Sequence, residues 1–206
     1  MNFFMQGDQY MSRYGFFGGS FNPPTKAHYY LAEKVIETVN LDKLFFVPVG
    51  NYYKKDGLVD EKYRYEMLKL MCSKNEKMEV LDIELNVHKQ LKAIDAFKMI
   101  KYKYPKDNLY YIMGADNLAK ISKWESSEEL IKNFKFIILN RGNYVIEDII
   151  KNNSLLLEHK NNFIELENDE HSNTSSTDVR NKIKSNNMNI DILDEVQKYI
   201  KENRLY

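Results

Sequence analysis

The chain has 206 residues, which suits a single α/β domain, and its 30 basic and 30 acidic residues cancel to a formal net charge of zero. This balance gives no electrostatic reason to expect nucleic acid as a partner. The sequence has no apolar run of about 18 residues, no charged-then-apolar signal at its start, and a single cysteine, which excludes an internal disulfide. We therefore expect a cytoplasmic protein with no membrane partner.

The predicted elements alternate between strand and helix. Residues 1–13 match no pattern and are predicted to be an N-terminal extension, which leaves residues 14–206 as one domain. Apolar and alternating runs predict strands at 14–17, 43–49, 78–85, 109–113, 136–139 and 163–166. Helical spacing predicts helices at 29–39, 61–74, 89–104, 128–133, 145–152, 177–184 and 191–203, while the Asn- and Lys-rich stretch 151–162 indicates surface turns.

This order of elements predicts the fold class. A strand followed by a helix, repeated about five times, is typical of α/β proteins with a parallel sheet. We expect a Rossmann-like doubly wound parallel sheet of about five to six strands, with helices on both faces and a C-terminal helical segment. Sheets of this kind bind ligands at their carboxyl edge, where the strand order reverses.

A glycine-rich turn, GGSFNPPTKAH at residues 18–28, joins the first predicted strand to the first predicted helix. Backbone N–H groups at a helix N-terminus are unpaired, and the helix dipole favours an anion there. Gly18 and Gly19 let the backbone come close to such an anion. Thr25 is predicted to be the N-cap, which places His28 at the third helical position. The turn therefore predicts a phosphate site.

Three other predicted strands also end in polar residues. The run SSTDVR at 175–180 follows the last strand and opens a helix, with Arg180 one turn in, so it predicts a second anion site with a permanent cation. Gly114 and Asp116 follow the fourth strand, and Arg141 follows the fifth. All of these residues are expected at the same carboxyl edge of the sheet.

These segments resemble the signatures of the nucleotidyltransferase superfamily. Thr25 and His28 match the ends of the first signature, with Ala27 in the usual glycine slot. The run from Ser175 to Arg180 matches the second signature in its Ser-Ser-Thr-x-x-Arg form, which is typical of adenylyltransferases acting on pyridine mononucleotides. Further matches resemble the bacterial nicotinate mononucleotide adenylyltransferases: Gly114-x-Asp116 followed by Trp124, the run from Arg64 to Leu68, and the closing segment from Val196 to Tyr206.

The resemblance covers residues 14–206 and implies a reaction. ATP and nicotinate mononucleotide would give deamido-NAD and pyrophosphate, with Mg²⁺, as a step of NAD biosynthesis. The phosphate of the mononucleotide is already ionised at neutral pH and can attack the α-phosphorus of ATP directly, so neither a side-chain base nor a covalent intermediate is required. Catalysis then consists of positioning and of stabilising charge on the triphosphate.

The resemblance also implies roles for individual residues. The catalytic set is His28, Arg180 and Thr25, in which His28 donates to an α/β phosphate oxygen and Arg180 binds the β/γ region. Thr177 would cap the second helix, and Asp116 would bind ribose hydroxyls. The residues implied to bind ATP are Gly18, Gly19, Ser20, Phe21, Thr25, His28, Gly114, Asp116, Arg141, Ser176, Thr177 and Arg180.

The implied contacts to the pyridine nucleotide come from Trp124, Lys92, Asn22 and Lys55. Trp124 would stack on the pyridine ring, with packing in the core as the alternative. Two segments depart from the family pattern. A Pro-Pro-His-Lys loop is replaced by NYYKK at 51–55, and the Ser-Tyr-Thr-x-Asp segment that grips the nicotinate carboxylate is replaced by LKAID at 91–95. Lys92 would then pair with that carboxylate.

Three alternatives stay open at this point. The first is an enzyme that prefers nicotinamide mononucleotide or accepts both pyridine nucleotides. The second is another nucleotidyltransferase of the same fold, such as the phosphopantetheine type, and the third is a nucleotide-binding module without catalysis. The sequence also leaves open a homo-oligomer and a lid function for the loop 50–60.

Overall fold

The computed structural model describes residues 11–140, 144–167, 174–187 and 189–206. Six strands form one sheet in the order β3-β2-β1-β4-β5-β6, and every neighbouring pair is parallel. The strands are β1 (Arg13–Gly19), β2 (Lys43–Pro48), β3 (Met78–Val80), β4 (Asn108–Gly114), β5 (Lys135–Leu139) and β6 (Phe163–Leu166). The predicted Rossmann-like parallel sheet is confirmed.

The helices lie between and after these strands. They are α1 (Lys26–Val39), α2 (Glu61–Cys72), α3 (Ala93–Lys103), α4 (Ala115–Leu118), α5 (Ser127–Asn133), α6 (Ile146–Lys151), α7 (Ser154–Glu158), α8 (Ser176–Lys184) and α9 (Asp194–Glu202). Short 3₁₀ turns cover Ile121–Lys123 and Lys160–Asn162. Within the described residues, no helix has the length and apolar character that crossing a membrane requires.

Paired phenylalanines show how the sheet is covered on both faces. Successive side chains of a strand point to opposite faces, so Phe16 and Phe17 enter different cores. Phe16 stacks on Phe45 at 5.4 Å in the core beneath α3, α5 and α7. Phe17 stacks on Phe46 at 5.6 Å in the core beneath α1 and α2. The strands therefore read as continuous apolar runs, as expected for a parallel sheet buried on both faces.

The strand order reverses between β1 and β4, which are neighbours in the middle of the sheet. Strands β2 and β3 follow on one side of β1, and β5 and β6 follow on the other side of β4. Because the strands are parallel, the carboxyl ends of β1 and β4 open onto the same crevice. Gly19 ends β1 and Gly114 ends β4, so two of the predicted site segments begin there.

The C-terminal helices form a third apolar cluster against α2. Val179 of α8 and the α9 residues Val196 and Ile200 pack with Met67 of α2, and all four are at least 97% buried. Since α8 begins beside the crevice and α2 follows the loop 50–60, this cluster fixes the helical segment relative to the site.

The sequence prediction was wrong about the third strand. The strand was expected at 78–85, but β3 ends at Val80. Leu81 N–H still donates to the Phe46 carbonyl oxygen, and the chain then turns, with Leu85 N–H donating to Asp82. Leu81 and Leu85 are buried beneath this turn, so burial alone produced the alternating pattern that suggested a strand.

The prediction of surface turns at 151–162 was also incomplete, because α7 lies within this stretch. Asn153 caps it, its side-chain oxygen accepting from the N–H groups of Leu155 and Leu156 at 3.1 and 3.2 Å. The Asn- and Lys-rich composition concealed one N-cap followed by leucines, of which Leu156 is buried. Of the predicted extension 1–13, residues 1–10 lie outside the described residues, and Arg13 already belongs to β1.

Candidate active site

The first helix begins with a capping box in which histidine takes the third position. Thr25 is the N-cap of α1, and its side-chain oxygen accepts from the His28 N–H at 3.4 Å. In return, the Thr25 N–H donates to His28 Nδ1 at 3.0 Å, and Thr25 Oγ1 lies 2.7 Å from the same nitrogen. The predicted N-cap and the predicted position of His28 are both confirmed.

This geometry sets the tautomer of the His28 ring. A nitrogen that accepts a backbone N–H carries no proton, so the neutral imidazole holds its proton on Nε2. The ring is half-buried and meets Phe21 edge-on at a centroid distance of 5.2 Å. His28 is therefore a hydrogen-bond donor of fixed orientation, which is the property that transition-state stabilisation requires.

The turn before α1 is tightly packed, which explains its glycines. A Cβ on Gly18 would lie 3.2 Å from the Tyr111 hydroxyl oxygen, and one on Gly19 would lie 3.0 Å from the Phe21 ring. Phe21 has φ of 43°, in the left-handed region that bulky residues rarely adopt. Strained residues of this kind concentrate at ligand-binding loops.

The second helix N-terminus carries its own capping box. Ser175 is the N-cap of α8, with its hydroxyl accepting from Asp178 N–H at 3.1 Å and its N–H donating to the Asp178 carboxylate at 3.2 Å. The prediction that Thr177 caps this helix was wrong. Ser175 takes the N-cap because the Asp178 carboxylate, three residues later, can accept a hydrogen bond from its backbone N–H. Thr177 Oγ1 instead accepts from Arg180 Nη2 at 3.1 Å.

The structure joins the two helix N-termini directly. Ser176 Oγ donates to the Pro23 carbonyl oxygen at 2.8 Å. Arg180 Nη1 donates to the Asn22 carbonyl oxygen, also at 2.8 Å. Two helix ends that favour anions thus lie side by side at the carboxyl edge of the sheet.

Positive side chains gather at this junction. Lys55, from the loop 50–60, donates to Ser20 Oγ at 2.8 Å. Burial, followed by the charges of Arg180 and Arg64, lowers the pKa of Lys55. Neither Lys55 nor Arg180 forms an ion pair with a carboxylate among the described residues. A cluster of cations that repel one another, next to two helix N-termini, favours the binding of a polyanion.

The end of β4 supplies the opposite side of the crevice. Gly114 is the N-cap of the short helix α4, and Asp116 lies half-buried in its first turn. Trp124 is also half-buried and meets Tyr111 edge-on at 6.3 Å. Since Tyr111 reaches Gly18, it connects the neighbourhood of Trp124 with the glycine turn.

For three predicted site residues the structure gives no support for the expected ligand contact. Asn22 is fully buried, and its side chain bonds within the protein, donating to Gly57 O at 2.8 Å and accepting from Val59 N–H at 3.2 Å. Lys92 is exposed and forms an ion pair with Glu125. Arg141 lies outside the described residues. The ligand contacts expected of these three residues stay predictions.

Sequence reasoning noted Arg64 only as part of a motif and missed its role in the site. The side chain is fully buried, and its guanidinium donates to three carbonyl oxygens from two loops, one after β1 and one between β2 and α2. Nε donates to Val59 at 2.7 Å, Nη1 to Ser20 at 3.0 Å and Nη2 to Val49 at 2.7 Å. The resemblance of the run 64–68 to a family motif was the only signal for it.

The sequence model of the cytidylyltransferase-like family matches residues 16–182, which span both helix N-termini. A probable nicotinate-nucleotide adenylyltransferase from Acholeplasma laidlawii is 35% identical over 192 residues, covering 92% of this chain and 95% of the relative. The chain belongs to the nicotinate-nucleotide adenylyltransferase family. The Bacillus subtilis nicotinate-nucleotide adenylyltransferase is 30% identical over 199 residues, covering 95% of this chain and 99% of the relative.

A solved structure agrees with the fold of this nicotinate-nucleotide adenylyltransferase family member. The nicotinic acid mononucleotide adenylyltransferase of Plasmodium falciparum, complexed with NaAD, superposes with a TM-score of 0.77 at 21% identity. The match covers 95% of this chain and 97% of the other. The Acholeplasma and Bacillus relatives, with the family model, confirm the predicted family, the enzyme class of nucleotidyltransferases and the link to NAD biosynthesis.

A half-buried glutamate lies beside this site in the family member. Glu84 follows β3, and its carbonyl oxygen packs against Gly50, where an added Cβ would come within 2.3 Å of it. Burial raises the pKa of Glu84 to about 7, against the opposing charge of Arg64. The folded protein therefore retains a proton on Glu84 at a pH where the unfolded chain has released it.

We expect this proton to make stability depend on pH. The carboxyl of the unfolded chain titrates at about pH 4.3, so between that pH and about 7 the folded state binds more protons than the unfolded state. The free energy of unfolding therefore falls as pH rises through this window. The free energy of unfolding of Glu84→Gln, measured with urea, should exceed that of the parent at pH 8 by at most about 4 kcal/mol and should match it near pH 4.5. Glu76→Gln, at an exposed position, is the control. A difference in the free energy of unfolding between Glu84→Gln and the parent that is the same at all pH values would contradict the assignment.

We also expect Arg64→Met to destabilise the protein by about 3 kcal/mol, because the fully buried guanidinium is lost and three half-buried carbonyl groups lose their donor. Urea unfolding followed by circular dichroism measures this change. Lys62→Met, an exposed position on the same helix, should stay within about 0.5 kcal/mol of the parent. Equal midpoints for the two variants would show that the guanidinium does not hold the loops.

Proposed function

We propose that the protein transfers the adenylyl group of ATP to nicotinate mononucleotide, giving deamido-NAD and pyrophosphate. One observation carries the proposal: hydrogen bonds from Ser176 and Arg180 to the loop before α1 bring two helix N-termini together. The names of the Acholeplasma and Bacillus relatives support the choice of substrate. The Plasmodium structures, with NaAD in one and APC in another, support a nucleotide site in this fold.

The reaction requires little covalent chemistry from the protein. A phosphate oxygen of the mononucleotide forms a bond to the α-phosphorus of ATP while the bond from that phosphorus to the bridging oxygen breaks. Pyrophosphate leaves with the electron pair and its negative charge. The rate then depends on alignment of the two phosphates and on stabilisation of the charge that builds on the leaving group.

We assign the charge stabilisation to residues of the two helix N-termini. His28, with its proton on Nε2, donates to an α/β phosphate oxygen, while Thr25 holds the opposite nitrogen of the ring. Arg180 binds the β/γ phosphates, with Ser176 and Thr177 at the same helix end. Lys55, beside Ser20, is placed to bind the phosphate of the mononucleotide.

We assign the remaining contacts to the turn after β1 and to the end of β4. The backbone of Gly18, Gly19 and Phe21 accommodates the adenosine and the phosphates. Gly114 and Asp116 bind the ribose, and Trp124, which is half-buried and packs on the core beneath α3 and α5, stacks on the pyridine ring. Arg180, Lys55 and His28 stabilise part of the phosphate charge, and Mg²⁺ bound to the ATP substrate would add to that stabilisation.

A second candidate substrate is nicotinamide mononucleotide, and the ion pair between Lys92 and Glu125 is the observation that favours testing it. Lys92 is the N-cap of α3 and belongs to the segment that replaces the family's carboxylate-gripping motif. Its ammonium group already faces Glu125, the residue after Trp124. A nicotinate carboxylate must therefore compete with Glu125 for Lys92, whereas an amide would not.

We expect His28→Ala to fold normally and to lose about 10²- to 10³-fold in kcat, because one preorganised donor to the leaving group is removed. The measurement is pyrophosphate release from ATP in the presence of nicotinate mononucleotide. His88→Ala, an exposed histidine outside the proposed site, should retain parental activity. Turnover of His28→Ala near the parental rate would refute the assignment.

We expect the parent enzyme to have the higher kcat/KM for nicotinate mononucleotide than for the amide. Glu125→Gln should widen this preference by about 3- to 10-fold, because Lys92 is then free to pair with the substrate carboxylate and a repelling charge is removed. The effect stays this small because the ion pair is exposed and screened by solvent. Glu128→Gln, which breaks the exposed pair with Lys132, is the control. Equal kcat/KM values of the parent for both mononucleotides would contradict a dedicated nicotinate enzyme.

A further inference from the structure

The closing segment of the chain matches a family motif that the proposed reaction leaves unexplained. It carries two tyrosines in different settings. Tyr199 lies in α9 and tilts against Tyr63 at a centroid distance of 6.5 Å. Tyr206, four residues beyond α9, reaches the loop before α1, where its hydroxyl donates to Asn22 Oδ1 at 2.8 Å.

Asn22 connects Tyr206 with the phosphate side of the site. It is fully buried, and its carbonyl oxygen accepts the hydrogen bond from Arg180. Its side-chain amide holds Gly57 and Val59 of the loop that carries Lys55. A shift of Asn22 would therefore move the partner of Arg180 and release the loop at the same time.

The surroundings of Tyr206 keep its hydroxyl a neutral donor. Burial raises the pKa of Tyr206, and the guanidinium groups of Arg64 and Arg180 oppose this rise without overcoming it. Asn22 Oδ1 consequently has two donors, the Tyr206 hydroxyl and the Val59 N–H. A buried amide oxygen with both bonds made has one defined orientation.

Helix packing sets the position of Tyr206. Val196 and Ile200 of α9 are buried against α2, and Leu205 and Tyr206 pack on the same cluster. The segment therefore approaches Asn22 from helices that apolar packing holds together.

We propose that Tyr206 is a positioning residue for adenylyl transfer, because its hydroxyl orients Asn22 and thereby the Arg180 guanidinium that faces the leaving pyrophosphate. The inference rests on the function proposed above for Arg180. It extends the active site to the closing segment, which lies 184 residues from Asn22 along the chain.

The first test compares Tyr206→Phe with Tyr199→Phe in steady-state pyrophosphate release. Each variant keeps its ring and its packing, so both should unfold at nearly the parental urea concentration. We expect Tyr206→Phe to lower kcat about 5- to 10-fold with an unchanged KM for the mononucleotide, since a misplaced Arg180 acts on the leaving group. Tyr199→Phe should stay within about twofold of the parent. Parental kcat for Tyr206→Phe would overturn the proposal.

The second test shows whether Tyr206 acts through Arg180. In an Arg180→Lys background the guanidinium bond to Asn22 is absent, so adding Tyr206→Phe should change kcat by less than about twofold. The same fold loss in both backgrounds would overturn the proposal, because Tyr206 would then act independently of Arg180.

Binding of inorganic pyrophosphate, measured by calorimetry, separates this inference from the proposed function. We expect Tyr206→Phe to weaken pyrophosphate binding about tenfold and Tyr199→Phe to leave it unchanged. Equal affinity of Tyr206→Phe and the parent would overturn the inference even in an active enzyme. If the parent released no pyrophosphate with either mononucleotide, the proposed function would fail, while the binding measurement would still decide whether Tyr206 positions Arg180 for an anion.

Discussion

The hydrogen bonds of the buried Arg64 side chain are the constraint on which the rest of the site depends. A buried cation is costly unless its donors are satisfied, and this guanidinium is satisfied by carbonyls of Ser20, Val49 and Val59. Loops at the ends of parallel strands are otherwise the most mobile part of such a fold. Arg64 makes these loops mutually dependent, so the glycine-rich turn after β1 and the segment that carries Lys55 keep a common geometry.

Most of the fold and the two helix N-termini could be predicted from the sequence because each rests on local chemistry. Buried parallel strands appear in the sequence as continuous apolar runs. An N-cap is marked by a hydroxyl residue before a helix, followed three residues later by a side chain that can return a hydrogen bond. Thr25 and His28 form such a pair. The same rule, applied to Ser175 and Asp178, identifies the cap that was wrongly assigned to Thr177.

What the sequence could not predict depends on contacts between distant segments. Arg64 resembles any helical arginine until three carbonyls converge on it. Tyr206 meets Asn22 only because α9 packs on α2. The short third strand was overestimated for the same reason, since Leu81 and Leu85 are buried by tertiary packing and not by strand pairing. Periodicity reports which residues are buried, but it does not report what buries them.

The capping box of α1 has a consequence for which side chains can replace His28. The imidazole of His28 anchors the start of a helix through one edge and presents its proton at the other. Lysine or arginine would supply a donor but no acceptor for the Thr25 N–H, and glutamate would supply the acceptor but no donor. In the proposed function, helix initiation and phosphate stabilisation therefore draw on a single planar ring, so one substitution alters both.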